Sequence, residues 1–153
     1  MTTDNFDFFV GSWTSTQRRL VKPLSGTDEW TESRGITQCW PVLGGAGNVD
    51  EIQLPDWGFT GLTVRLLHPE TGDWSIYWVN SKYGELALPP TVGRFEDGVG
   101  RFYSDEDFEG RPITVRYTWS DITATSAHWD QAFTTDGGRT WETNWIADFT
   151  RSG

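Results

Sequence analysis

The chain has 153 residues, which is enough for one domain with one hydrophobic core and too few for two large ones. Its formal net charge of −10 excludes nucleic acid and anionic membrane surfaces from the expected partners, because phosphate groups are bound by basic patches. The single cysteine, Cys39, excludes an intrachain disulfide framework and is typical of proteins of the reducing cytoplasm.

The composition and the N-terminal sequence indicate a soluble cytoplasmic protein with an aromatic core. Hydrophobic residues make up only 36% of the chain, but ten Trp and nine Phe are among them. Each buried aromatic side chain removes roughly 150–250 Å² of surface from water, so a few rings can fill a core. Residues 1–5 lack the basic and apolar segments of a signal peptide, and no apolar run approaches the roughly 18 residues of a membrane span.

The first predicted element is an aromatic stretch near the N-terminus. Phe6, Phe8 and Phe9 precede Gly11 and Trp13, and an alternating run follows them. We expect a short helical or 3₁₀ plug and then a kink at Gly11, where the absence of a Cβ lets the chain turn sharply. Trp13 would then lie across the closed end of a barrel, with the three phenylalanines beneath it.

The rest of the chain predicts strands separated by turn signals about every 8–14 residues. Asp97-Gly98 suits a two-residue hairpin turn that needs positive φ. The predicted strands are residues 12–22, 29–40, 47–54, 60–67, 73–80, 90–96, 99–104, 112–120, 124–135 and 139–150. We therefore predict an all-β fold, a single antiparallel up-and-down β-barrel of about 8–10 strands with a short N-terminal helical plug, over residues 1–153.

One hairpin carries a motif. Residues 134–141 read TTDGGRTW and match the S/T-x-D-x-G-x-T-W pattern of the Asp-box. In this motif the Asp side chain, here Asp136, accepts hydrogen bonds from backbone N–H groups of the turn, and the Trp, here Trp141, packs beneath it. One copy cannot build the propellers in which the motif recurs, so we expect a structural role.

Strand alternation assigns one face of each strand to the barrel interior. The expected inward residues are Leu62, Val64, Leu66, Trp74, Ile76, Trp78, Asn80, Ile113, Val115, Tyr117, Trp119, Trp129, Gln131, Phe133, Trp141, Thr143, Trp145, Ala147 and Phe149. The polar members of this set would each cost roughly 1–3 kcal/mol if buried without a partner. They either satisfy one another in a solid core or point at a ligand in an aromatic cavity. The predicted ligand-binding residues are Trp74, Trp78, Asn80, Tyr117, Trp119, Trp129, Gln131 and Trp145.

Both ends of the chain carry residues that point to a family. Gly11-x-Trp13 opens the first strand, and the chain ends with W-x-x-N-W-x-x-x-F-x-R, from Trp141 to Arg151. The chain resembles the calycin superfamily, which includes lipocalins and fatty-acid-binding proteins, and over its full length it resembles uncharacterised bacterial calycin-like proteins. The resemblance implies that Arg151 covers Trp13 in a cation–π contact. It implies no particular activity, because one fold hosts many functions.

The sequence favours neither a metal nor a cofactor. The two histidines, His68 and His128, fall in a turn and on an outward strand position, and no H-x-H, C-x-x-C or H-E-x-x-H spacing occurs. A haem of the kind that nitrobindin-like calycins hold would need a β-bulge near Ala127 to turn His128 inward. Cys39 has no evident His partner in the sequence and reads as a small buried hydrophobe. We expect no cofactor.

Acid–base chemistry is the remaining enzymatic possibility. Asp50 and Glu51 follow the Gly-rich loop 41–47, which we place at a barrel mouth, so one carboxylate should face inward. A carboxylate beside indole rings has a raised pKa, which suits a general acid or base. Arg19 shares the parity of Trp13, and three roles stay open for it: to anchor an anionic substrate, to pair with that carboxylate, or to stabilise developing negative charge. The alternative is an ordinary ion pair or solvated acids, and residues 105–107 read as a solvated acidic loop.

Three functions stay open at this point. The first is the binding of a small apolar or aromatic molecule in a Trp-lined cavity. The second is a cofactor-independent isomerase, cyclase or hydratase that uses Asp50 or Glu51 with Arg19. The third is a solid barrel that binds a protein partner. Apolar loop residues Leu43, Leu86 and Leu88 would allow a homodimer without requiring one.

Overall fold

The computed structural model describes residues 5–153, so residues 1–4, part of the segment used above to judge a signal peptide, lie outside it. Ten strands form a closed antiparallel barrel in which each strand pairs with its neighbours in the chain and β1 pairs with β10. The strands are β1 (Gly11–Leu20), β2 (Trp30–Val42), β3 (Gly47–Leu54), β4 (Phe59–Leu67), β5 (Trp74–Asn80), β6 (Thr91–Glu96), β7 (Val99–Phe108), β8 (Arg111–Ser120), β9 (Ser126–Thr134) and β10 (Glu142–Arg151). The predicted up-and-down barrel is confirmed. No helix among residues 5–153 is long and apolar enough to cross a membrane.

A 3₁₀ turn, Phe6–Phe9, closes one end of the barrel as predicted. Trp13 is fully buried, its ring stacks on Phe9 with centroids 5.3 Å apart, and its Nε1 donates to the Phe9 carbonyl at 2.9 Å. The Arg151 guanidinium lies 4.2 Å from the Trp13 ring and donates to the carbonyls of Val10, at 2.8 Å, and Phe8, at 2.6 Å. The expected Trp–Arg pair is confirmed, and it ties the last strand to the plug.

The turns place the two ends of the barrel. β1 starts at the plug and β2 runs back toward it, so the loop between β2 and β3 lies at the plugged end. Asn48, at the start of β3, donates to the carbonyl of Phe6 in the plug at 3.1 Å. The Gly-rich loop before Asp50 and Glu51, which was expected at a barrel mouth, therefore lies at the end that the plug closes. The open end carries the β3–β4 turn with Trp57, the long loop 81–90 and the Asp-box hairpin.

Strand β7 is longer than predicted. Residues 105–107, expected to form a solvated loop, continue the β7–β8 ladder as far as the Phe108–Arg111 pair. Glu109 and Gly110 make the turn with φ of 51° and 80°, which is hairpin geometry that the acidic composition concealed. Glu106 consequently shares the inward face of Phe102 and Ser104.

Two assignments of inward faces are wrong. On β4 the inward side carries Thr63 and Arg65, both less than 9% exposed, while Leu62 and Val64 point outward. The apolar pattern misled because this strand has apolar residues on its outer side and a buried charge on its inner side. On β10 a bulge between Thr143 and Trp145 shifts the register, so Trp141 lies outside against Arg116, 4.2 Å from its guanidinium.

The seam between β5 and β6 is the weakest in the wall. Only Trp74–Ile76 pair with Thr91–Gly93, whereas most other strand pairs share seven or more residue pairs. Beyond this short ladder the loop 81–90 runs beside β5, with a Val79–Leu86 bridge and an Ala87 amide that donates to the Trp78 carbonyl at 2.8 Å. The upper half of the seam is thus closed by a loop rather than by a strand.

Candidate ligand-binding cavity

A cavity of about 110 Å³ lies inside the barrel between the plug and the open end. A cavity of about 150 Å³ holds benzene, so this volume fits a ligand part no larger than a single ring. Its lining residues are Phe9, Gln17, Thr37, Asp50, Ile52, Leu54, Thr63, Arg65, Ile76, Trp78, Tyr117, Trp119, Trp129, Gln131, Trp145 and Phe149. The interior therefore contains a cavity, which argues against a solid core, one of the alternatives of the sequence analysis.

The upper wall of the cavity is an aromatic box around Trp145. The rings of Trp78 and Trp129 meet Trp145 edge-on, at centroid distances of 6.3 and 5.7 Å. Tyr117 packs against Trp129 at 5.3 Å. Gly61 of β4 makes room for Trp78, because a Cβ at Gly61 would come within 2.0 Å of the Trp78 ring. The box depends on large rings that alternate with a small residue.

The neutral polar groups of the wall are only partly satisfied. Gln17 accepts a hydrogen bond from the Trp145 indole at 2.8 Å, and Gln131 donates to Asn144 at 2.9 Å. The Thr37 hydroxyl and the Asn144 amide nitrogen are buried and find no partner within residues 5–153. An unpartnered buried donor costs about 1–3 kcal/mol, so a ligand that pairs with Thr37 recovers part of this cost.

The floor of the cavity is a buried ion pair. Asp50 Oδ2 lies 2.6 Å from Arg65 Nη1, and both side chains are at most 5% exposed. The same Nη1 donates to Asn48 Oδ1 at 3.0 Å. The Arg65 guanidinium also faces the rings of Phe6 and Phe9 at 5.0 and 5.1 Å. The plug therefore supports the charged floor, and Arg65 Nε is left without a partner within the described chain.

Burial shifts the pKa values of the floor and wall groups. Desolvation raises the pKa of Asp50, and the attraction of Arg65 opposes that rise. Desolvation raises the pKa of the Tyr117 phenol, with the carboxylate of Glu106 acting in the same direction. Burial raises the pKa of the Cys39 thiol to about 12, which leaves it protonated and unreactive at neutral pH. Asp50 is thus the lining residue with the chemistry of an acid or base.

A cation–aromatic rim lies above the box at the open end. We use "rim" for Arg19, Trp57, Phe59 and Lys82. The Arg19 guanidinium lies 4.3 Å from the Trp57 ring centroid and 5.4 Å from those of Phe59 and Trp145. Lys82 Nζ lies 5.8 Å from the Phe59 ring and 3.4 Å from the Trp57 carbonyl. Desolvation lowers the pKa of Arg19, with Tyr83 opposing this, yet an arginine stays protonated at neutral pH.

The structure separates the predicted site residues into two groups. Those that line the cavity are Asp50, Trp78, Tyr117, Trp119, Trp129, Gln131 and Trp145. Trp74 instead packs edge-on against Phe6 in the plug, 5.1 Å away, and Asn80 caps the end of β5 by accepting from the Lys82 amide at 2.8 Å. Glu51 points outward and is exposed. Arg19 belongs to the rim.

Arg19 and Asp50 do not meet, contrary to the expectation that they would share a site. Arg19 pairs with Thr31 of β2, and Asp50 pairs with Cys39, eight positions further along the same strand. At about 3.3 Å per residue this is about 26 Å of strand. Arg65, not Arg19, is the cation beside Asp50.

Sequence reasoning missed Arg65, Thr37, Thr63 and Gln17. A signal for Arg65 was present, because Phe59 and Gly61 share its parity on β4 and Phe59 is a natural inward residue. Alternation counted from Phe59 would have placed Arg65 inside, on the same face as Asp50 of β3 and diagonal to it, since Arg65 pairs with Asn48 and Asp50 with Thr63. His128 lies outside, where it contacts Asp148 at 2.8 Å and Asp130 at 3.4 Å.

No family model and no curated protein matches the chain. Among solved structures, the chain is similar to the S-type phycobiliprotein lyase CPES from Guillardia theta. The TM-score is 0.59 and the sequence identity 14%, over 97% of this chain and 90% of the lyase chain. At this identity the likeness shows the fold alone. It supports the β-barrel fold, and the resemblance to the calycin superfamily and to uncharacterised bacterial proteins stays a prediction.

Proposed function

We propose that this protein binds a small apolar or aromatic molecule in the Trp-lined cavity. The observation that carries the proposal is a cavity of about 110 Å³ whose wall combines three indole rings of the box with unpartnered or weakly engaged polar groups. Apolar walls with a few fixed polar groups are typical of small-molecule sites. The rings bind the body of the ligand, while Thr37 and Gln131 orient its polar atoms.

A second function, acid–base catalysis on the bound molecule, is favoured by the position of Asp50. This carboxylate lines the cavity, its pKa is raised by burial, and Arg65 beside it can stabilise developing negative charge. The structurally similar protein is named a lyase, so at least one barrel of this fold is named as an enzyme. For this chain the reaction would be a proton transfer without a cofactor.

Binding is tested by titrating the protein with single-ring aromatic metabolites while the ¹H–¹⁵N spectrum of its indole groups is recorded. We expect saturable shifts of the Trp78, Trp129 and Trp145 indoles, because their rings form the wall. The variant Thr37→Leu should abolish these shifts, because the larger side chain fills part of the cavity. It should not lower stability, because it also removes an unpartnered hydroxyl.

Thr16→Leu is the matched control, because Thr16 is exposed on β1 and the same substitution there leaves the cavity unchanged. Identical titrations of wild type and Thr37→Leu would contradict binding in this cavity. For the second function, Asp50→Asn should end turnover of any bound molecule that the wild type converts, while the molecule still shifts the indole signals of the folded variant. Turnover retained by Asp50→Asn would remove the catalytic role from Asp50.

A further inference from the structure

Arg19 of the rim has no carboxylate partner among the residues that the structure describes. Arg19 forms no ion pair with any carboxylate among residues 5–153, although acidic residues outnumber basic ones by 22 to 12 in the chain. Its neighbour Arg18 does have a carboxylate partner, Glu32, at 3.7 Å on the outer face. The adjacent rim cation, Lys82, is likewise in no ion pair within the described chain. Several exposed basic residues of the described chain are also in no ion pair, so the distinguishing feature of Arg19 is its half-buried position among aromatic rings beside the cavity.

The packing of Arg19 leaves its hydrogen-bonding edge available. The aromatic rings of Trp57, Phe59 and Trp145 contact the guanidinium through their faces, and ring faces offer no carbonyl or carboxylate acceptor. A guanidinium whose neighbours are ring faces keeps its N–H groups free, and the fork of these groups suits a carboxylate. Half-burial strengthens such a contact relative to one in bulk water.

The rim is adjacent to the cavity. Arg19 occupies the inward position of β1 next to Gln17, two residues earlier, and Gln17 lines the cavity. Trp145 connects the two regions, because its ring both walls the cavity and contacts Arg19. A ring in the box and an anionic group at Arg19 are therefore within the span of one small molecule with a short linker.

The charges at the two ends of the cavity are unequal. At the floor, Asp50 neutralises Arg65, so the floor does not call for an ionic group. At the rim no carboxylate of the described residues neutralises Arg19. A cationic ligand would meet like charge at the rim, whereas an anionic group there meets an unpaired cation.

We infer that Arg19 is an anion subsite, and that the ligand is a single-ring aromatic molecule that carries a carboxylate on a short linker. This inference rests on the proposed function, since it assigns the body of the ligand to the same cavity. Lys82 adds a second positive charge beside the subsite. Arg19 would then anchor the ligand, and the aromatic box would select its ring.

The test compares three probes of equal size: 3-phenylpropionate, 3-phenylpropionamide and 3-phenylpropylamine. Calorimetry and indole shifts measure their binding to wild type, Arg19→Gln, Arg19→Lys and the control Arg18→Gln, which removes the same charge from the outer face. We expect the carboxylate to bind wild type about tenfold more tightly than the amide, and the amine to bind most weakly. Arg19→Gln should abolish this preference, Arg19→Lys should retain part of it, and Arg18→Gln should leave it unchanged.

The outcomes separate this inference from the proposed function. Equal binding of carboxylate and amide to wild type, tighter binding of the amine, or a preference that survives Arg19→Gln would overturn the anion subsite while leaving the cavity as a binding site. If Arg19→Gln does not fold, the wild-type comparison of carboxylate, amide and amine still decides the matter. Binding of none of the three probes would count against the proposed function and this inference together.

Discussion

The buried pair of Asp50 and Arg65 gives a quantitative prediction about stability. Removing one member of a buried ion pair leaves an uncompensated charge and costs about 3–5 kcal/mol. We therefore expect Asp50→Asn and Arg65→Met each to lower the free energy of unfolding by about this amount at pH 7, a large share of the roughly 5–15 kcal/mol of an ordinary domain. The double variant should be more stable than either single variant, because no unpaired charge remains.

The pH dependence identifies the group responsible. In Arg65→Met the attraction that opposes the effect of burial is lost, so the pKa of Asp50 in the folded state rises further above its unfolded value of about 3.9. The folded state then binds more protons than the unfolded state, and stability falls as the pH rises toward the folded pKa. The slope approaches about 1.4 kcal/mol per pH unit. The double variant lacks this carboxylate and should lose the slope.

Urea unfolding followed by Trp fluorescence at pH 5, 6, 7 and 8 measures both effects. Arg94→Met is the control, because the Arg94–Asp73 pair is as short, at 2.7 Å, but half-exposed. An exposed pair contributes about 0–1 kcal/mol. If Arg65→Met destabilised no more than Arg94→Met, or if its stability were parallel to that of the double variant at every pH, the reasoning about the buried charge would be wrong.

Two further predictions concern the ends of the barrel. Arg151→Lys should lower the free energy of unfolding by about 2–4 kcal/mol. The reason is that an ammonium cannot both cover Trp13 and donate to the carbonyls of Phe8, Val10 and Ala124. A urea midpoint equal to that of wild type would contradict this prediction. In the Asp-box, hydrogen bonds, the one from the Thr140 hydroxyl foremost, lower the pKa of Asp136 to about 2. The contribution of the Asp136 carboxylate to stability is present above its unfolded pKa and is lost as the pH falls through about 2. The melting temperature of Asp136→Asn should therefore lie below that of wild type at pH 6 and approach it near pH 2. A difference that did not shrink in acid would refute this prediction.

The architecture of the barrel could be predicted from the sequence because its determinants are local. Turn residues such as Asp97-Gly98 adopt the positive φ that their types favour, and the plug and the Trp13–Arg151 pair are carried by short motifs. Every predicted strand end lies within four residues of the end in the structure. Alternation also placed Trp78, Tyr117, Trp129 and Trp145 correctly on inward faces.

The polar part of the cavity was predicted only in part. Gln131 and one carboxylate after the Gly-rich loop were expected to face inward, and Gln131 and Asp50 do. The cation beside that carboxylate, Arg65, was not predicted, because its partners are distant in sequence. Arg65 is stable inside the barrel because Asp50, Asn48 and the rings of the plug contact its guanidinium. The assumption that the more apolar face of a strand points inward assigns the two faces of β4 incorrectly. The bulge at Asn144 reverses parity without a Gly or Pro to announce it. The end of the barrel at which Asp50 lies depends on the direction of β2, which follows from strand counting rather than from the local Gly-rich sequence.

The short β5–β6 seam has a consequence for how fast a ligand comes and goes. Three residue pairs and one loop bridge hold this part of the wall, so its backbone amides should exchange with solvent well before those of β1 and β2. With three residue pairs this seam has the fewest of any strand pair in the described barrel, so we expect it to open locally before the rest of the wall beside the cavity. We expect a bound molecule to leave when this seam separates, and hydrogen exchange of the Ala87 amide, which donates to the Trp78 carbonyl across the seam, reports the same event.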